Sequence, residues 1–140
     1  MKTLREKGEL AELKVLIDLT TRGYDVSIPF GTCRYDLIVD REGKLERIQV
    51  KYCESDGKVI NVRCRCVRHN KTRNVSHRYL PSEIDWIATY DKTSDSVYYI
   101  ESKILGIKGR TDISLRLVPG AYQIRSKSKE PRWAEDFKDI

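Results

Sequence analysis

A chain of 140 residues, 39% of them apolar, can fill one hydrophobic core but is short for two ordinary domains. Its 27 Lys and Arg against 21 Asp and Glu leave a net charge of +6, which attracts polyanions, either nucleic acid or an anionic surface. No apolar run approaches the ~20 residues that span a bilayer, and residues 1–10 are charged rather than signal-like, so a cytoplasmic protein without a membrane partner is expected. In that setting the four cysteines read as reduced thiols.

Within residues 3–22, Leu10, Leu13, Leu16 or Ile17, and Thr20 recur three and four apart among Glu6, Glu9 and Lys14, which predicts an amphipathic helix ended by Gly23. After Pro29 and Gly31, residues 33–40 and 44–52 read as two strands joined at Glu42-Gly43. Residues 59–67 alternate apolar and basic side chains. Pro81, Ser82 and Glu83 open a short turn before a strand at 85–90, and 91–95 turn the chain into a second strand at 97–101. Strand-like alternation resumes over 104–125, punctuated by Gly106, Gly109 and Pro119-Gly120, and the tail is polar from Ser126 until Trp133, Phe137 and Ile140. A helix followed by strands predicts an α/β fold with a mixed sheet. Cys64-x-Cys66 with His69 and His77 lacks the usual spacing of structural zinc ligands and fits one face of a strand equally well. Each histidine reads as a polar contact rather than a catalytic base, and Tyr98 and Tyr99 as packing residues.

The hairpin carries the chemistry. A two-residue turn sets Arg41 opposite Lys44 and therefore Asp36 opposite Gln49. Alternation then gives Asp36, Gln49 and Lys51 one face, and Leu37, Val39, Ile48, Val50 and Tyr52 the other. Mg2+ takes hard oxygen ligands: Asp36 offers a carboxylate, Gln49 an amide oxygen and Val50 a carbonyl. Lys51 can orient or deprotonate an attacking water and offset charge on a phosphoryl transition state. From spacing alone, an Asp–Lys pair on a solvated sheet face is an equal alternative.

These residues resemble a known family. Arg-Tyr-Asp36-Leu-Ile-Val-Asp40, a short glycine-containing turn and Ile-Gln49-Val-Lys51 are similar to the core of the PD-(D/E)XK nucleases, in particular the small group I intron homing endonucleases that carry Q-x-K. Lys7-Gly8-Glu9-Leu10-Ala11-Glu12-Leu13 is similar to their opening helix, whose glutamate joins the metal site; Glu12 fits best and Glu9 is the alternate. Glu83-Ile-Asp85-Trp-Ile-Ala-Thr-Tyr90 and Val97-Tyr-Tyr-Ile100 resemble the following hairpin. The resemblance implies a single nuclease domain over 1–140 with a restriction-endonuclease-like core at about 5–101, a mixed sheet flanked by helices, and a basic C-terminal extension at 102–140. It further implies catalysis by Glu12, Asp36, Gln49 and Lys51, Mg2+ held by Glu12, Asp36, Gln49 and Val50, a DNA substrate and a homodimer or homotetramer. Two residues depart from the pattern: Arg34-Tyr35 stands where a proline is usual, and Gln49 replaces the second acid. The alternatives are a Holliday junction resolvase, which typically keeps that acid, and a DNA-binding module without catalysis.

Between Gly57 and Tyr79 lie seven basic residues and no acidic one: Lys58, Arg63, Arg65, Arg68, Lys71, Arg73 and Arg78. Arg63, Arg65 and Arg73 alternate like one face of a ribbon, and Asn61, Asn70 and Asn74 add groups able to read bases in a major groove. Arg34, Lys108 and Arg110 extend the expected DNA contacts. A second basic group comprises Lys103, Lys108, Arg110 and Arg116, followed by Arg125, Lys127, Lys129 and Arg132; such runs are often only a solvated face.

Overall fold

A computed structural model describes residues 1–69, 71–119 and 131–140, the side chains of Arg68 and His69 apart. Asn70, Arg125, Lys127, Lys129 and residues 120–125 of the expected alternation lie outside the described residues, as do the side-chain roles expected of Arg68 and His69.

The helix α1 (Leu4–Thr21) starts where a capping box satisfies its first amides: the Glu6 N–H donates to Thr3 Oγ1 (3.2 Å) and the Thr3 N–H to Glu6 Oε2 (2.7 Å). Gly23 takes φ 92°, a conformation that ends a helix cheaply only for glycine. The buried stripe is Ala11, Val15 and Leu19, whereas Leu13 and Ile17 are 56% and 61% exposed. That differs from the stripe the sequence suggested. Seven of the ten residues from Leu10 to Leu19 are apolar, so periodicity alone does not select a face; the smaller Ala11 and Val15 let the helix sit closer to the sheet.

The main sheet has five strands in the order β1-β2-β3-β7-β8, all neighbours antiparallel except β3 and β7. These are β1 (Asp25–Ser27), β2 (Leu37–Arg41), β3 (Lys44–Cys53), β7 (Trp86–Asp91) and β8 (Ser96–Glu101). The β2–β3 turn uses Glu42 (φ 55°) and Gly43 (φ 82°), the left-handed pair that matches strand twist, and the ladder has Arg41 opposite Lys44 and Leu37 opposite Ile48 as expected. Beneath α1, the core contains Leu37, Val39, Ile48, Val50, Trp86, Ala88 and Tyr99. Within this layer the Glu46 carboxylate, 4% exposed, accepts from Arg41 Nε and Trp86 Nε1, each at 2.6 Å.

The opposite face is not solvated. It carries Ile87, Tyr98 and Ile100 against a second core of Ile60, Val62, Cys64, Tyr79, Ile113 and Leu115. Residues 59–67, expected as one alternating strand, divide at Cys64 into β4 (Val59–Arg63) and β5 (Arg65–His69). The first pairs with β9 (Asp112–Arg116), the second with β6 (Asn74–Arg78). Arg63 and Arg65 therefore lie in different two-stranded sheets and Arg73 precedes β6, so the single basic ribbon face expected of these three is not formed. Leading into the stretch 104–119, the chain makes a 3-10 turn (Ser102–Leu105) before β9. A final 3-10 turn (Ala134–Phe137) packs on β8, while Arg22 Nη2 donates to the Lys138 carbonyl (2.6 Å), so residues 131–140 return to the core. Among the described residues α1 is the one α-helix, and no helix is long and apolar enough to cross a membrane.

Candidate active site

Asp36 sits just before β2, one step out of the ladder. Its N–H donates to the Ile48 carbonyl (2.8 Å) instead of continuing the pairing toward Gln49, so the register expected at this residue is shifted. The shift has a use: the Asp36 carboxylate turns along the strand and accepts the Val50 N–H at 2.9 Å. Burial raises the Asp36 pKa, against the pull of that N–H and of the Lys51 charge. On α1, Glu12 is half-buried and its pKa is also raised, first by burial and then by the negative charge of Asp36. Glu9, the alternate, turns away to Arg5 (2.9 Å) and is 56% exposed.

Gln49 is buried, and its Nε2 donates to the Val50 carbonyl (3.2 Å). The Val50 backbone is thus tied at two points, by Asp36 through its nitrogen and by Gln49 through its oxygen. Rotation of the amide exchanges Nε2 for Oε1 and leaves two neutral oxygens side by side. Two carboxylates, an amide oxygen and a backbone carbonyl suit a hard divalent cation, and the donor set fits one. Among the described residues no cluster of three or more His, Cys, Asp and Glu side chains converges, so neutral oxygens have to complete any such shell.

Lys51, the third residue of the hairpin motif, points into the second core. Its Nζ donates to the Arg65 carbonyl (3.1 Å) and to Tyr79 Oη (3.4 Å), and lies 4.9 Å from the centre of the Tyr79 ring. Burial lowers its pKa, against the pull of Cys66 and Asp36. A lysine on a solvated face would show neither the burial nor these partners.

The sequence matches the PD-(D/E)XK endonuclease family over residues 1–140. The chain belongs to that family. Its restriction-endonuclease-like fold is also that of the solved structure of a bacterial homing endonuclease, I-Ssp6803I, with a TM-score of 0.74 at 21% identity, covering 98% of this chain and 89% of the other. No match was found among curated proteins.

In this PD-(D/E)XK endonuclease the expected DNA contacts fall on three elements. Lys58 precedes β4, while Asn61 and Arg63 occupy its exposed face. Arg65 and Arg78 pair across β5 and β6, with Lys71 and Arg73 exposed at the turn between them. Lys108 and Arg110 are exposed ahead of β9. Arg34 differs: half-buried beside Asp36, it donates to Cys66 Sγ (3.6 Å) and pairs with Glu83 (3.6 Å), which also binds His77 Nε2 (2.9 Å). Tyr79 and the Arg65 carbonyl, which hold Lys51, were not found from sequence. A lone tyrosine and a backbone oxygen carry no motif, and they reach Lys51 only through the fold.

Proposed function

We propose that this endonuclease hydrolyses phosphodiester bonds of double-stranded DNA at a specific sequence, in the manner of a homing endonuclease, with Mg2+ bound by Glu12, Asp36, Gln49 and the Val50 carbonyl. One observation carries the reading: Asp36 and Gln49 are both hydrogen-bonded to Val50 beside the buried Lys51, and the Asp36 charge reaches the half-buried Glu12 of α1. Repulsion between the two carboxylates is unfavourable unless a cation relieves it. Bound there, a divalent cation supplies positive charge to a phosphoryl oxygen and acidifies a water.

Lys51 does the remaining work. Two of its three donor positions are taken by Arg65 and Tyr79, which leaves the third for a phosphate oxygen or the attacking water. Its lowered pKa puts Nζ closer to accepting a proton from that water at neutral pH. Asp36, fixed by the Val50 N–H, orients the water from the opposite side. The homing reading draws support from the shared fold with I-Ssp6803I and from Gln49 in place of the second acid. Since one chain brings one such centre, cutting both strands calls for two or four copies.

The test is cleavage of a plasmid carrying candidate target sites, of random plasmid and of a four-way junction, each with Mg2+ or EDTA. Site-specific cutting in Mg2+ alone, lost by at least 100-fold in Asp36→Asn and Lys51→Ala, is expected, since removing a transition-state contact of this kind costs roughly 10²–10³ in rate. Unimpaired cutting by either variant overturns the assignment; preference for the junction makes the enzyme a resolvase.

A further inference from the structure

The β4–β9 pair has two faces, and the core uses only one. Ile60, Val62, Ile113 and Leu115 point inward. The outward face holds Asn61 and Arg63 on β4, with Ser114 opposite Asn61 and Arg116 opposite Val59. At the end of β9, Trp133 pairs alongside Arg116 in parallel, and the Arg116 N–H donates to the Arg132 carbonyl (2.7 Å). Beside this pairing lies a depression of about 310 Å3, lined by Arg110, Arg116 and Arg132 with Asp112 and Ser114. Three arginines and one aspartate thus line a single hollow. Among the described residues none of the three arginines has an ion-pair partner. Like charges gathered in one hollow repel. A tetrahedral oxyanion relieves that repulsion.

We propose that Arg110, Arg116 and Arg132 form a phosphate cradle that grips the DNA backbone at a distance from the cleavage centre. This rests on the DNA-cutting function proposed above and adds to it a second, separate point of attachment.

The cradle is wired to the centre through the backbone. Lys51 Nζ binds the Arg65 carbonyl (3.1 Å); the preceding residue, Cys64, donates its N–H to the Thr111 carbonyl (2.9 Å), and Thr111 adjoins Arg110 and Asp112. Gly109 fixes the start of this segment: at φ 71°, a Cβ added there would meet Arg78 Cβ at 2.8 Å and the Tyr79 carbonyl at 3.0 Å, so the segment lies tight against the strand end that leads to Tyr79. From Thr111 to Ser114, mid-cradle, is about 10 Å at a strand rise of ~3.3 Å per residue, so the cradle stands apart from the Lys51 contact. Phosphate contacts position a duplex without reading it, so the cradle sets register and leaves base readout to other residues.

The experiment measures binding of the intact chain to a duplex of about 30 base pairs, roughly three turns, in EDTA and across a salt series. The Arg116→Gln/Arg132→Gln double variant should bind at least tenfold more weakly. Its slope of log affinity against log salt should be shallower by about 1.8, or ~0.9 per lost phosphate contact. The Arg116→Lys/Arg132→Lys variant should recover most of the slope, because charge rather than geometry dominates it. Should the glutamine pair lower the melting temperature, the surface variant Arg110→Gln carries the same test with a slope change of about 0.9.

If the parent binds and cuts while the variants keep its affinity and slope, the cradle is wrong and the function stands. A parent that neither binds nor cuts DNA overturns the function itself. Inorganic phosphate alone provides the last arm: if it raises the melting temperature of the parent and not of the double variant, while duplex affinity is equal in both, the hollow is a free-anion site and the backbone assignment falls.

Discussion

Gln49 is where this chain departs from its family pattern, and Gln49→Glu tests the cation site without relying on cleavage. The Asp36 carboxylate is 2.9 Å from the Val50 nitrogen and the Gln49 amide 3.2 Å from the Val50 oxygen, so both are bound to the backbone of one residue. Two negative charges held as neighbours, ~6 Å apart, repel by about 3 kcal/mol at an effective dielectric of 20. Losing the amide N–H to the Val50 carbonyl adds about 1 kcal/mol. In EDTA the variant should therefore be less stable than the parent by about 3–4 kcal/mol, a fall in melting temperature of order 10 °C for a domain of this size. A carboxyl buried at this position beside Asp36 is disfavoured in its charged form, so folding favours the protonated one. The loss should be small below the ordinary glutamate range and grow as pH rises above it. Mg2+ should reverse it, returning about 2.7 kcal/mol at a hundredfold excess over the dissociation constant, and more than it returns to the parent. Melting curves in EDTA and in Mg2+ at two pH values decide the matter. A variant that melts alike with and without Mg2+ refutes cation binding at these residues, and a variant as stable as the parent in EDTA refutes the crowding.

Tyr79→Phe removes the 3.4 Å bond to Lys51 Nζ and leaves the ring beneath it, so kcat/KM should fall only about 2–5-fold, the worth of a weak hydrogen bond near 0.5–1 kcal/mol. A collapse comparable to Lys51→Ala would instead make the Tyr79 hydroxyl a participant in the chemistry. For Glu46, burial favours the neutral acid, but the bonds from Arg41 and Trp86 outweigh it and hold the pKa below the ordinary value. Its contribution to stability should therefore be complete at neutral pH and vanish as pH falls through the lowered value. Glu46→Ala, leaving two buried donors unpaired, should cost about 3–5 kcal/mol in urea unfolding at pH 7 and much less in acid. Equal losses at both pH values would rule out the ionic account.

Local pattern made part of this molecule readable and geometry withheld the rest. The α1 cap and stop are spelled in Thr3, Glu6 and Gly23, and the Glu42-Gly43 turn determined the β2–β3 register because a two-residue loop admits few backbones. Register reasoning failed at Asp36 itself, one residue before the ladder, where a side chain in place of a carbonyl takes the Val50 N–H. Only a polar residue at that point can make such an exchange, so the departure from regular strand geometry and the candidate catalytic role reside in the same carboxylate. The basic stretch misled for a related reason. Alternation through Cys64 looks continuous in sequence, yet the Cys64 N–H is claimed by Thr111 and its carbonyl by the Tyr79 N–H, two partners from separate later segments that pull the strand into different sheets. What holds Lys51 is likewise long-range: the Arg65 carbonyl and Tyr79 lie 14 and 28 residues away in sequence. A motif can name the lysine that meets the substrate. The burial that lowers its pKa comes from the layer the chain lays over it afterwards, and no period-two count contains that layer.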